Sequence, residues 1–283
     1  MKKTLIVLAA GMGSRFWGLK QVAKVGINWE ALLDFTIQDA IQAGFEKVVH
    51  VIRKDIESDY RELVVDKYID TLETHIAYQE IEDGRKKPRG VAQALSVALP
   101  YVQGVCAVVN ADDYYWVAAM RQMSQLLEEC DKTTFGMIWY ILSNTLSENG
   151  AVNRWVCEVD EHWLLAHICE TRGINQSEWG LLDTKGNIIS QDAIVSMNFW
   201  GFHSNVLSNL SDYVELFKKE NLYNLDAELP LPPYVEFLIE NWVVCKVVPA
   251  SDQWIGITYK EDIELAKQAL DYRCSVIYSQ EEV

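Results

Sequence analysis

No stretch of the 283 residues approaches the ~20 consecutive apolar residues that a bilayer-crossing helix needs. The first apolar run, Thr4-Leu5-Ile6-Val7-Leu8, passes straight into a glycine loop without the longer apolar stretch and cleavage site of a secretory leader. It reads as a first β-strand, and a cytoplasmic location is the expectation. Cysteine is sparse and scattered: six copies, none in a C-x-x-C pair, with Cys106, Cys157 and Cys245 inside apolar, strand-like runs. That distribution argues for buried reduced thiols and against a disulfide framework or a zinc site. The five histidines show no metal-ligand spacing, and His50 sits within a buried strand pattern. Positive charge is the scarcer sign, 25 Lys and Arg against 41 Asp and Glu, for a net charge of −16 and a pI near 4.7. Such a surface repels a nucleic-acid backbone, and no basic stripe with interleaved aromatics relieves it. A magnesium-bound nucleotide is not excluded, because a few local cations decide such a site.

What the chain does have is hydrophobic residues throughout, 49% of the total, in alternating strand-like and helix-like runs. Strands are expected over 4–10, 47–52, 74–79, 104–111 and 134–142, with helices over 31–43, 56–70, 90–99 and 116–130 between them. The second half reads as paired strands over 155–160 and 164–170, a polar excursion or flap over 171–189, and a long strand over 193–203. Helices over 206–219 and 233–241, a strand over 242–249 and a terminal helix over 260–272 complete it. Continuous apolar strands separated by helices predict an α/β fold with a mostly parallel central sheet covered on both faces. Ligands in such sheets bind beyond the carboxyl ends of the strands, so the polar clusters after the first, third and fourth strands should converge. No internal repeat or low-complexity linker divides the chain, and a single domain over 1–283 is the expectation.

Three clusters carry chemistry. The first is Leu8-Ala9-Ala10-Gly11-Met12-Gly13-Ser14-Arg15, continuing through Gly18-Leu19-Lys20-Gln21. Closely spaced glycines let backbone N–H groups approach a phosphate chain, and Arg15 and Lys20 add fixed positive charge beside it. It is not a Walker A loop, since Gly18 is followed by Leu19 and Lys20 by Gln21. Nor is it a dinucleotide fingerprint, which needs a glycine where Phe16 stands and an acid where Arg53-Lys54 stand. The second cluster is Val108-Val109-Asn110-Ala111-Asp112-Asp113. An aspartate at the carboxyl end of a buried central strand is well placed for Mg²⁺, which prefers oxygen ligands; Asp112 takes that role, and Asp113 reads as a cap for the following helix. The third is Gln79 with Arg89-Gly90-Val91-Ala92-Gln93-Ala94. A glycine opening a helix allows a flat base to come close to the backbone, and an amide can read its edge. The charged run 80–87 between them reads as a solvated loop.

These residues resemble the sugar-phosphate nucleotidyltransferases, a family with a GT-A-like Rossmann fold that includes glucose-1-phosphate thymidylyl- and uridylyltransferases and small cytidylyltransferases. The family's G-x-G-x-R…K loop matches Gly11, Gly13, Arg15 and Lys20, its metal aspartate matches Asp112, and its base-reading segment matches Gln79 and Gly90-Val91-Ala92-Gln93-Ala94. Ser196-Met197-Asn198-Phe199-Trp200-Gly201-Phe202 resembles its sugar-side strand. The resemblance implies a Rossmann-like, mostly parallel sheet with a small β-rich acceptor-binding lobe, a nucleotide-binding half over 1–145 and an acceptor-binding half over 146–283. It also implies transfer of a nucleotidyl group from a nucleoside triphosphate, a pyrimidine being favoured, to a sugar 1-phosphate or similar phosphorylated acceptor, with Mg²⁺ as cofactor and a homo-oligomer allowed. Arg15, Lys20 and Asp112 become catalytic, while Ala9, Ala10, Gly11, Met12, Gly13, Gln79, Gly90 and Asn110 become nucleotide-binding. Trp155, Glu170, Arg172 and Asn198 become acceptor-binding. The sequence departs from the pattern where the family's second metal aspartate belongs: Trp254-Ile255-Gly256-Ile257-Thr258 carries Gly256 there, so either Asp252 or Asp262 substitutes, or one carboxylate and the phosphates hold the metal. Glu170-Thr171-Arg172 replaces the Glu-Lys pair that meets the sugar phosphate in the family, so the resemblance gives Arg172 the lysine's task, and tryptophans 17, 29 and 155 stand where relatives often have glycine. Two other readings stay open at this point: a GT-A glycosyltransferase, although Asn110-Ala111-Asp112 offers half of its D-x-D motif, and a non-catalytic nucleotide-binding regulator.

Overall fold

The computed structural model describes residues 2–11, 25–26, 30–147, 150–257 and 262–270. Met12, Gly13, Arg15, Trp17, Lys20 and Trp29 lie outside these described residues. In chain order the first half runs β1 (Lys3–Leu8), α1 (Leu32–Gln42), β2 (Lys47–Ile52), α2 (Glu57–Leu63), β3 (Glu73–Tyr78), α3 (Val91–Ala98), β4 (Val105–Asn110), β5 (Asp113–Tyr114), α4 (Trp116–Glu129) and β6 (Thr134–Ile141). The second half follows with β7 (Val152–Val159), β8 (Leu165–Ser177), β9 (Gly180–Leu182), β10 (Ile188–Ile189), β11 (Ile194–His203), α5 (Leu210–Glu220), α6 (Pro232–Glu240), β12 (Val244–Pro249) and β13 (Ile255–Gly256). A helix over 262–270, α7, is the last described element.

Strands β4, β1, β2 and β3 pair in that order, all parallel, and β12 joins β6 in parallel. Side chains alternate between the two faces of a strand, so β1 and β4 each supply both cores. Leu5, Val7, Val105, Ala107 and Val109 pack in one hydrophobic cluster with Leu33, Ile37 and Ala40 of α1 and Met120, Met123 and Leu127 of α4. Ile6, Cys106 and Val108 pack in the other with Ala92 and Leu95 of α3, Leu210 and Val214 of α5, and Tyr234 and Val235 of α6. Burial on both faces explains why these strands are apolar without alternation. Strand β11 bridges the halves by running antiparallel to β4, β6 and β7, and the antiparallel series β7-β8-β9-β10 forms the β-rich lobe.

Three expectations change. The helix expected over 56–70 breaks after Leu63 into a 3₁₀ turn at Val65–Lys67, because Val64, Val65 and Leu72 bury together with Tyr60 at the end of the sheet. The flap expected over 171–189 is mostly strand: β8 continues to Ser177 and pairs with β9. Two buried side chains, Ile174 and Leu181, hold this otherwise polar hairpin to the core, too sparse a pattern to read as strand periodicity. Asp113 does not cap α4, whose N-cap is Tyr115; its carboxylate is engaged inside the protein instead. The histidine expectation holds for His50, fully buried in β2 with its Nδ1 2.9 Å from the Tyr60 hydroxyl.

Candidate active site

Parallel pairing sets Leu8 of β1 beside Asn110 of β4, so both chain exits leave the same edge of the sheet. The Ala111 N–H donates to the Leu8 carbonyl at 3.1 Å, and the Ala9 N–H to the Val51 carbonyl at 2.8 Å. Beyond this edge lies a cleft of about 440 Å³ whose walls include Leu8, Ala10, Gly11, Asn110 and Asp112. The start of the glycine loop and the candidate metal carboxylate therefore face one space. Ala9 is fully buried behind them and does not line the cleft.

Arg53 fixes this loop entry, a role the sequence pattern did not reveal. Its Nη1 donates to the carbonyls of Ala10 and Gly11 at 3.1 and 3.0 Å, while Nε and Nη2 bind Asp55 at 3.0 Å each. A buried arginine can satisfy two carbonyls and a carboxylate at once because its fork carries five donors. A residue that argues against a dinucleotide fingerprint thus clamps the backbone where the glycine loop begins.

The opposite wall is built around Gln79 and Gly90. Gln79 Nε2 donates to the Gly90 carbonyl at 2.8 Å and to Gln93 Oε1 at 3.0 Å, and Gln93 Oε1 also receives the Arg89 N–H at 2.9 Å. Both amide hydrogens of Gln79 are committed, leaving its Oε1 to face a donor. Gly90 adopts φ of 105°, and a side chain there would place Cβ 2.6 Å from the Leu229 carbonyl oxygen. The close approach that demands glycine here is that of the protein's own backbone at Leu229, whose N–H bonds the Arg89 carbonyl at 2.5 Å. The charged run 80–87 corrects to a partly buried one. Arg85 donates to the carbonyls of Asn224 and Ala227, Arg89 pairs with Glu82 at 2.6 Å, and Lys87, ion-paired with Glu228, lines the cleft.

A second cavity of about 270 Å³ adjoins the first and shares Val91 and Asn110 with it. Trp155 and Asn198, two of the expected acceptor-binding residues, line it. Asn198 stands in the left-handed region at φ 64°, a conformation asparagine tolerates better than most residues. Its Nδ2 donates to Asn110 Oδ1 at 2.7 Å, and Asn110 Nδ2 donates to Asp113 Oδ2 at 2.7 Å. The Tyr115 hydroxyl lies 2.9 Å from the Met197 carbonyl and 3.2 Å from Asp113 Oδ2. Burial and the Asp113 charge push the Tyr115 hydroxyl pKa well up, so it stays a donor. Glu170 and Arg172 line neither cavity: they pair with each other at 2.6 Å, with Arg172 largely exposed.

The missing family aspartate has a steric counterpart. A Cβ on Gly256 would lie 2.1 Å from Trp254 Cζ2 and 2.9 Å from Asp113 Oδ1. The indole occupies the room of a side chain at 256, and β13 pairs Gly256 directly with Asp113 of β5. Neither Asp252 nor Asp262 lines the cleft that holds Asp112. Arg154, which belongs to none of the sequence motifs, stands over the Trp254 ring at 5.3 Å. Burial lowers its pKa to about 10, countered by the Asp113 charge, so it remains a cation at neutral pH. Among the described residues no group of three or more His, Cys, Asp and Glu gathers as a protein-only metal cage. Asp112 with substrate phosphates still suits Mg²⁺, which keeps several waters and commonly uses one or two carboxylates.

Residues 4–153 match the protein family described as nucleotidyl transferase. No curated protein matches the sequence. Solved structures do match the fold. One is described as a glucose-1-phosphate thymidylyltransferase from Bacillus anthracis in complex with sucrose: 13% identity, TM-score 0.70, 94% of each chain covered. Another is the inositol-1-phosphate CTP transferase from T. maritima, at 16% identity and TM-score 0.61, covering 94% of this chain and 95% of that one. A third is a UDP-glucose pyrophosphorylase complexed with UDP-glucose, at 14% identity and TM-score 0.63, with 96% and 100% covered.

Proposed function

This chain belongs to the nucleotidyl transferase family, and on that premise we propose that it transfers a nucleoside monophosphate from a nucleoside triphosphate to a sugar 1-phosphate or similar phosphorylated small molecule. The observation that carries the reading is the shared cleft: Ala10 and Gly11 at the loop entry and Asp112 after β4 line one space, with a second cavity opening beside Asn110. The fold neighbours, which act on glucose 1-phosphate, inositol 1-phosphate and UDP-glucose according to their names, support the acceptor class.

In this reading an oxygen of the acceptor's phosphate attacks the α-phosphorus in line. The new P–O bond forms as the bond from the α-phosphorus to the bridging oxygen breaks, and pyrophosphate carries away the electron pair. An ionised phosphate needs no general base, and His50, buried against Tyr60, lines neither cavity. Catalysis then rests on positioning and charge neutralisation. Arg15 would receive the β- and γ-phosphates and Lys20 the α-phosphate, while Asp112 would hold Mg²⁺, which supplies charge stabilisation on the leaving pyrophosphate when bound. Gln79, presenting Oε1, suits a base edge that carries a donor; every nucleobase offers one, so the pyrimidine in this proposal rests on the family resemblance alone. Among the described residues no helix is long and apolar enough to cross a membrane.

Pyrophosphate release, assayed with each nucleoside triphosphate against a panel of sugar 1-phosphates, tests the proposal. At least one combination should turn over, and Asp112→Asn should slow it by about 10²–10³-fold. Turnover of a nucleotide sugar without pyrophosphate would favour glycosyl transfer instead. Nucleotide binding without turnover of any pair would point to a regulator.

A further inference from the structure

The cation that meets the acceptor's phosphate is expected at Arg172 from the family pattern, yet the structure places that side chain elsewhere. Arg172 is largely exposed, outside both cavities, with Nε and Nη2 committed to Glu170 at 2.8 and 2.6 Å. Arg154 occupies the position that Arg172 lacks. It lines the 270 Å³ cavity that shares Asn110 with the nucleotide cleft. Among the described residues no carboxylate lies within ion-pair distance of it. Its Nε donates to Thr145 Oγ1 at 3.1 Å, Nη2 to the Thr145 carbonyl, and Nη1 to the Asn153 carbonyl at 2.9 Å. A guanidinium carries five N–H groups, so these three bonds lock the fork in place and leave one N–H on each terminal nitrogen. The Trp254 ring supports its face, and Trp254 Nε1 is buried with no acceptor among the described residues.

Resting on the nucleotidyl-transfer reading, we infer that Arg154, and not Arg172, receives the acceptor's phosphate and sets the requirement for a phosphorylated acceptor. A phosphate monoester matches a guanidinium bidentately, through two oxygens, better than it matches an ammonium point charge. The two remaining N–H groups of a pre-set fork meet that geometry without the ordering that an exposed side chain such as Arg172 requires. The location fits the chemistry. Arg154 and Asp113 line the cavity that shares Asn110 with the cleft holding Asp112, so an anion on Arg154 sits next to the nucleotide cleft.

Calorimetric titration with inorganic phosphate decides the assignment without turnover. Wild type should show a phosphate site that Arg154→Gln weakens by about tenfold or more and that Arg172→Gln retains within about twofold, one tenfold step being a modest share of a charge-assisted contact. Steady-state kinetics on the acceptor that turns over should repeat the split: the acceptor KM rises in Arg154→Gln while the nucleotide KM holds. Arg154→Lys, which keeps the charge and the stem, serves if the Gln variant does not fold, and should weaken phosphate several-fold through loss of the fork. Wild-type phosphate affinity in either folded Arg154 variant, loss of the site in Arg172→Gln, or no phosphate site in wild type overturns the assignment. If no acceptor is turned over by wild type, the transfer reading fails by itself, and the phosphate titration still decides the role of Arg154.

Discussion

At Gly256 a carboxylate is absent and an indole fills its room. The Trp254 ring lies 2.1 Å from where a Cβ would stand, and Asp113 Oδ1 lies 2.9 Å from the same point. Restoring the family residue with Gly256→Asp should therefore destabilise the protein by about 1–3 kcal/mol, the usual cost of overpacking. The same change in a Trp254→Ala background should cost less, and urea unfolding of the four-member cycle measures the difference as a coupling between neighbours. Additive effects would mean the ring does not guard that position. Residues of this kind mark the limit of reading by sequence. The place of Asp112 was legible because a buried apolar strand, β4, ends two residues before it. Arg53 and Arg154 were not, since their partners, Ala10 and Gly11 for one and Trp254 for the other, are distant in the chain.

Among elements, the turn into α3 decides the nucleotide wall. Gly90 holds φ of 105° against the Leu229 carbonyl, and its own carbonyl takes a hydrogen from Gln79. Gly90→Ala should cost about 1–3 kcal/mol of stability from backbone strain. It should also raise the nucleotide KM, because the displaced carbonyl releases Gln79; unchanged unfolding midpoint and KM together would refute this. The strands β1, β2 and β4 were readable because burial on both faces leaves continuous apolar runs. The β8–β9 hairpin was not, because Ile174 and Leu181 are its fully buried anchors in a polar stretch. Helix α2 ended early for a tertiary reason, the burial of Val64 and Val65 against Tyr60, which helical periodicity cannot signal.

For the whole molecule, the response to acid follows from its buried base. His50 has its pKa lowered to about 3 by burial, against 6.5 for the free side chain. Between those values the unfolded chain binds a proton that the folded chain refuses, so stability contributed by neutral His50 is complete above pH 6.5 and is lost as pH falls toward 3. The slope is at most about 1.4 kcal/mol per pH unit for one proton. Carboxylates held low by basic partners, such as Glu57 at about 2 beside Lys54, act in the same direction but only as pH falls from 4.5 toward 2. The interval from pH 6.5 to 5 therefore reads His50 in particular. His50→Gln should flatten the wild-type slope there in urea unfolding across pH, and an unchanged slope would contradict the assignment. The net charge of −16 bears on function as well. A protein so acidic can hold a triphosphate and a phosphorylated acceptor only where cations are concentrated, which gives Lys87 of the cleft and Arg154 of the adjoining cavity their weight.

The fate of isotopic label tests the central claim most directly. With the nucleoside triphosphate labelled at the α-phosphorus in one reaction and at the γ-phosphorus in another, each with a phosphorylated acceptor, the α-label should appear in the acceptor product and the γ-label in pyrophosphate. Label passing from the γ-position to the acceptor, or α-label that never joins it, would contradict transfer of a nucleotidyl group in this cleft.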